Sequence, residues 1–136
     1  VWSQSALYQI HELLFAILRQ LPNDGTFDQE QSVKRGAKKA KDSGEAYCFD
    51  LSAATDRLPI SIQREALNGL LGSEVANCWE GILLARSYAM NPKQAYQYGL
   101  VKSDKDQLVV NYAVGQPMGA YSSWAMLALT HHLILQ

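Results

Sequence analysis

One stretch sets the terms for the whole chain: Tyr47-Cys48-Phe49-Asp50-Leu51-Ser52-Ala53-Ala54-Thr55-Asp56-Arg57-Leu58-Pro59. Its apolar beginning reads as a short strand ending at Asp50. Small polar residues follow, and Asp56, Arg57 and Pro59 open a helix. A carboxylate at the end of a buried strand is placed to face a cleft. Hard oxygen donors of this kind suit Mg²⁺, which keeps several waters and takes one or two protein carboxylates beside substrate phosphates. On this reading Asp50 is a candidate metal ligand, and Asp56, one turn on, is a candidate hydrogen-bond acceptor. The residues alone admit a plainer reading as well, a helix N-cap beside a solvated strand end.

Charge narrows the choice of partner. The formal net charge is -1 over 136 residues, so no general basic field advertises a nucleic acid, and any such binding must come from local patches. Only one dense patch exists. Lys34, Arg35, Lys38, Lys39 and Lys41 fall on one side of a helix, with Val33, Gly36, Ala37 and Ala40 on the other. The small residues would let the helix pack closely. The cations would then face either solvent or phosphates, since side chains of this kind supply sequence-independent affinity for RNA.

The length is that of one domain with enough material for a core. Cys48 and Cys78 lie in apolar segments without ligand spacing and read as buried free thiols. The run from Trp124 to Leu135 is too short and too polar to span a bilayer. No signal peptide is visible. Val1 and Gln136 both read as cut ends of a longer chain.

Helical spacing of Leu7, Ile10, Leu14, Ile17, Leu18 and Leu21 predicts a first helix, capped by Ser3 or Ser5 and closed by Pro22-Asn23-Asp24-Gly25. After Pro59, Ser61 is the expected cap of a helix that Gly72 stops, and Ser73 caps the next. The segment from Ala85 to Lys105 reads as loop, and its Tyr88, Tyr96 and Tyr98 as half-buried packing residues or as stacking platforms for bases. Leu108 to Val114 reads as a strand. A permissive loop, Gly115-Gln116-Pro117-Met118-Gly119, leads to a helix from Ser122 onward. That helix is apolar nearly all round, which predicts burial and makes His131 and His132 core or boundary residues rather than metal ligands.

Three of these blocks carry a resemblance. DLSAATDRLPIS resembles polymerase motif A of the mitovirus RNA-dependent RNA polymerases and their narnavirus-like relatives. GQPMGAYSSWAMLALTHH, from Gly115 to His132, resembles motif B of the same family, in the right order. HELLFAILRQLPNDGTFDQ, from His11 to Gln29, resembles the segment that precedes motif A.

The resemblance implies a fold and a chemistry. The class is α+β, a helix-rich piece of a right-hand polymerase palm and fingers with a small antiparallel sheet. Residues 1–136 form a partial polymerase domain, with motif A around 48–59 and motif B around 115–132. The upstream basic motif and the downstream Gly-Asp-Asp turn are not among these residues. Nucleotidyl transfer uses two metal ions about 3.5–4 Å apart, and one carboxylate cannot hold both. By resemblance Asp50 is the catalytic metal ligand, for Mg²⁺ or Mn²⁺, and Asp56 accepts from the ribose 2′-OH. Gly119, Ser122 and Ser123 then form the loop and helix start that position ribose and template. Arg57 reads as a local ion-pairing residue. RNA template, RNA product and nucleoside triphosphates are the implied partners, and the mitochondrion of a fungal or plant host the implied location. The competing reading is a non-catalytic remnant integrated in a plant genome, binding RNA weakly if at all.

Overall fold

A computed structural model describes residues 2–135, and of Trp2 the backbone alone. Val1 and Gln136, the two ends read as cut, lie outside the described residues.

The chain forms α1 (Trp2–Leu18), α2 (Gln29–Ser43), α3 (Ala54–Arg57), α4 (Ile60–Leu71) and α5 (Ser73–Leu84). The strand β1 (Tyr88–Met90) and the helix α6 (Pro92–Gln97) follow, then β2 (Leu108–Val110) and α7 (Ser123–Leu135). The two strands pair antiparallel, Tyr88 opposite Val110 and Met90 opposite Leu108. Helices dominate and the sheet is small, an α+β arrangement as expected. None of the described helices is long and apolar enough to cross a membrane.

The core is where the helical spacing put it. Leu7, Leu14 and Leu18 of α1 are buried against Ile60 and Leu67 of α4, Ala76, Trp79 and Leu83 of α5, and Ala125, Met126 and Leu129 of α7. Trp79 is fully enclosed at the centre, a position at which truncation to Ala costs about 3–5 kcal/mol. α4 and α5 pack on each other across Gly72, whose φ of 85° is a conformation that a side chain disfavours. α1 lies along α7.

Several expectations need correction. The strand read at Tyr47–Asp50 does not exist: residues 45–51 have no regular secondary structure and are exposed. Apolar residues alone do not make a strand without a partner, and the sheet is built from 88–90 and 108–110 instead, inside and beyond the segment read as loop. The strand read to Val114 stops at Val110. Both cysteines are exposed and free rather than buried. Cys48 is on the unpaired segment, and Cys78 turns outward next to the enclosed Trp79. Tyr96 and Tyr98 are exposed, and only Tyr88 is half-buried. Ser61 and Ser73 lie inside their helices, whose caps are Pro59 and Gly72, and Ser3 and Ser5 lie inside α1. α7 is not enclosed all round, since Trp124, Leu133, Ile134 and Leu135 are exposed.

Candidate functional site

The turn before α4 and the glycine-containing loop before α7 meet backbone to backbone. The amide of Gln116 donates to the Thr55 carbonyl at 2.8 Å, and the amide of Ile60 donates to the Val114 carbonyl at 2.8 Å. Between these bonds sits Gly115. A Cβ there would lie 2.1 Å from the Thr55 oxygen and 2.4 Å from the Asp56 carbonyl carbon, so only glycine permits this approach. Buried side chains lock the junction. Gln116 Nε2 donates to Gln63 Oε1 at 2.6 Å and to the Ser123 carbonyl at 3.0 Å, and Gln63 Nε2 donates to the Leu58 carbonyl at 3.1 Å.

Asp50 is exposed on the irregular segment 45–51. It lines a shallow cavity of about 330 Å³ with Ser52, Arg57 and Pro59, in which Arg57 Nη1 donates to Ser52 Oγ at 3.2 Å. The chain reverses next to it through Ala53, a non-glycine residue at φ 51°. Arg57 thus makes a local hydrogen bond to a hydroxyl, and not the ion pair expected of it, among the described residues. Among the described residues no three His, Cys, Asp or Glu side chains gather around a common point. One exposed carboxylate is a suitable hard donor for a divalent cation, but it is not a complete site.

Asp56 is exposed, beside the phenol of Tyr112. Burial raises the Tyr112 pKa, and the charge and hydrogen-bonding demand of Asp56 raise it further, while the Met118 backbone N–H, donating to the phenol oxygen, acts in the opposite direction. The Tyr112 ring meets Tyr88 of β1 edge to face, 5.7 Å between centroids, which fixes its aim.

Gly119 is exposed at φ 82°. Gln4 of α1 brackets it: Gln4 Nε2 donates to the Gly119 carbonyl at 3.1 Å, and Gln4 Oε1 accepts from the Tyr121 amide at 2.7 Å. A cavity of about 300 Å³ opens under the loop, walled by Gln4, Arg86, Tyr88, Pro117 and Met118. Ser122 and Ser123 are enclosed, 1% and 2% exposed. Ser122 Oγ accepts from Trp79 Nε1 at 2.8 Å and donates to the Tyr121 carbonyl. Its amide donates to His11 Nδ1 at 3.0 Å, and its φ is 69°. The two serines therefore shape the entry to α7 from inside.

The cationic helix is α2. Asp28 caps it by accepting from the Gln31 amide at 2.8 Å, and Gly44 ends it at φ 78°. It has no buried residue, and Val33 is 70% exposed, so the small-residue side is largely open, with Ala40 alone half-buried on it. The cations are not equivalent. Lys34 pairs with Glu30 at 2.5 Å, and Arg35 turns back to the Asp24 carbonyl and Ser32 Oγ. Lys38, Lys39 and Lys41 are exposed and make no ion pair among the described residues.

At the far end of α7, His132 Nε2 lies 2.9 Å from Asp24 Oδ2, a hydrogen-bonded contact at the boundary, whereas His131, expected in the core or at its boundary, is exposed. Reading by spacing missed Tyr112, Gly115 and the Gln63–Gln116 pair. The local signal was Gly115 itself, the first glycine of the loop, but what it meets is 60 residues away in sequence.

All of the chain, residues 1–136, matches the family described as Mitovirus RNA-dependent RNA polymerase. It is 42% identical over 136 residues to the RNA-directed RNA polymerase of Cryphonectria parasitica mitovirus 1, covering 99% of this chain and 15% of that protein. An uncharacterised mitochondrial protein of Arabidopsis thaliana is 38% identical over 121 residues, covering 88% of this chain and 43% of the plant protein. A second uncharacterised mitochondrial protein of that plant is 32% identical over 117 residues, covering 86% and 52%. The chain thus spans a small part of the viral polymerase and about half of each plant protein. No solved structure matches it. With every residue inside the family match, the chain belongs to the mitovirus RNA-dependent RNA polymerase family.

Proposed function

We propose that this segment is part of the palm of a polymerase that copies an RNA template from nucleoside triphosphates. The observation that carries the reading is the contact of Gly115 with Thr55 and Asp56, which holds the motif A and motif B stretches together as one surface. Family membership supports the same reaction. In the whole polymerase Asp50 would hold a divalent ion, Mg²⁺ or Mn²⁺, together with carboxylates from outside this segment. Such ions stabilise the charge of the attacking and leaving oxygens.

This chain's own residues orient the nucleotide. Asp56 accepts from the ribose 2′-OH, the group that distinguishes RNA from DNA precursors. Gly119 brings backbone close to the ribose, on a loop that Ser122 and Ser123 shape from inside. Lys38, Lys39 and Lys41, with Lys34 and Arg35 at the root of the cluster, neutralise RNA phosphates. The mitochondrion is the working compartment, in keeping with the two plant relatives described as mitochondrial.

In a full-length polymerase carrying this segment, Asp50→Ala should abolish primer extension on any RNA template. An active Asp50→Ala enzyme would remove the metal assignment. The plant relatives also favour a second reading, a non-catalytic copy carried in a plant genome. Extension by the unaltered full-length protein decides between the two.

A further inference from the structure

We infer that Gln4 and His11 of α1 are positioning residues for the incoming nucleotide, two side chains that together clasp the backbone of the loop Gly119–Ser122. The inference rests on the proposed role of Gly119 beside the ribose.

Gly119 is an open position. It is exposed at φ 82°, and a Cβ there would meet nothing within 4 Å. Its peptide can therefore turn over at little steric cost. The loop is loosely covered as well, since Met118 is 74% exposed and the cavity of about 300 Å³ lies beneath. A backbone that is to meet a ribose has to hold one orientation before the nucleotide arrives.

That orientation is set from α1. Gln4 and His11 are two helical turns apart, so both fall on one face of the helix. The side-chain amide of Gln4 uses both its ends. Nε2 donates to the Gly119 carbonyl at 3.1 Å, and Oε1 accepts from the Tyr121 amide at 2.7 Å. His11 Nδ1 accepts from the Ser122 amide at 3.0 Å, which requires the ring proton on Nε2. The His11 ring is itself held, 4.6 Å from the Phe15 ring and 4.8 Å from the Tyr121 ring. Trp79 binds the Ser122 hydroxyl from the core, but the backbone there stands at φ 69°, a costly conformation for any residue but glycine. Without the acceptor on His11, that backbone has reason to relax, and the loop moves with it. α1 thus acts as a ruler along which the loop before α7 is laid out.

The test uses a full-length polymerase carrying this segment, with kcat and KM measured for a nucleoside triphosphate and RNA affinity measured separately. His11→Phe keeps a ring against Phe15 and Tyr121 but removes the acceptor. His11→Asn gives up the ring but places an oxygen acceptor close to where Nδ1 stood. We expect His11→Phe to lower kcat/KM about 10-fold, the upper end for one hydrogen bond, chiefly through a higher KM and with RNA affinity unchanged. His11→Asn should recover most of that loss. Gln4→Leu, at a half-buried surface position, should reproduce the effect of His11→Phe and keeps the test decisive if His11→Phe does not fold. Partial unfolding would instead lower kcat and leave KM where it was, and that result overturns the inference. So does His11→Asn proving worse than His11→Phe, because the ring and not the acceptor would then matter. Gly119→Ala, which forces a side chain onto φ 82°, probes the reading underneath. A loss in Gly119→Ala with none in His11→Phe and Gln4→Leu overturns the inference and leaves the role of Gly119 standing. Full activity in Gly119→Ala removes both.

Discussion

Gly115 sits so close to Thr55 that a Cβ on the glycine would lie 2.1 Å from the threonine carbonyl oxygen. The obstacle is backbone, which cannot swing aside as a flexible side chain would. Gly115→Ala must therefore break the Gln116–Thr55 or Ile60–Val114 bond, each 2.8 Å long, or distort α3. We expect destabilisation of about 3 kcal/mol, the upper part of the overpacking range. Denaturant unfolding of the variant against the parent chain measures it, and a difference under about 0.5 kcal/mol would show that the turn yields easily.

Ser122 offers a separable test of backbone strain. Ser122→Ala and Ser122→Gly both remove the hydroxyl that accepts from Trp79, but only glycine accepts a φ of 69° without a steric cost. The glycine variant should be the more stable of the two by about 1 kcal/mol. Equal stabilities would mean that this backbone relaxes once the hydroxyl is gone.

Trp79→Phe probes the same bond from the other side. It removes the Nε1 donor and leaves part of a fully enclosed space unfilled. The expected loss is about 2 kcal/mol, from one hydrogen bond and a small cavity together. Comparison of thermal midpoints checks this, since Trp79 is remote from the cationic helix and should leave RNA affinity unaltered.

Asp24 carries a pH dependence. Burial raises its pKa, but hydrogen bonding from His132 and Thr26, with the His132 charge, outweighs burial, so the net direction is down. A carboxyl with a lowered folded pKa adds stability that is complete above the unfolded value, about 3.9, and is lost as pH falls through the folded value. Unfolding at pH 6 and at pH 3 should show a smaller acid-induced loss in Asp24→Asn than in the parent. Parallel losses in the two proteins would assign acid sensitivity to other carboxylates.

The cationic helix can be tested by salt. Replacing Lys38, Lys39 and Lys41 with Gln should weaken RNA binding evenly across sequences. Each lost phosphate contact should flatten the log–log salt dependence by about 0.7 for single strands. Lys34→Gln should change the slope less, because Lys34 already pairs with Glu30. Fluorescence titration at several salt concentrations reads both slopes, and an unchanged slope in the triple variant would return the helix to a merely solvated role.

What was legible in the sequence was what depends on near neighbours. The spacing of Leu7, Leu14 and Leu18 foretold α1 and its buried side, and Gly72 was read correctly as the end of α4. The motif stretches around Asp50 and Gly119 pointed to the family because residue order alone carries that signal. Pairing was not legible. Residues 45–51 have strand-like composition yet find no partner, whereas Tyr88–Met90 pairs across a separation that no local pattern encodes. Burial of Cys48 and Cys78 was misjudged for the same reason, since a thiol inside an apolar run is enclosed only if something packs over it. The close approach of Gly115 to Thr55 and Asp56 needs two distant segments at once, and spacing within one segment cannot announce it.

α2 has fifteen residues and no buried side chain, and its described side-chain hydrogen bonds to the preceding segment come from its first turns, through Asp28, Ser32 and Arg35. A helix of that length gains little from propensity alone in water, and most helices persist because one side is packed away. The amide protons of Lys38 to Ser43 should therefore exchange with solvent by local fraying, long before those around Trp79, whose release requires opening of the whole core. The chain has two tiers of resistance to unfolding, and its cations stand on the weaker one. A polyanion that favours the wound form of α2 would slow exchange there while leaving the core amides unchanged.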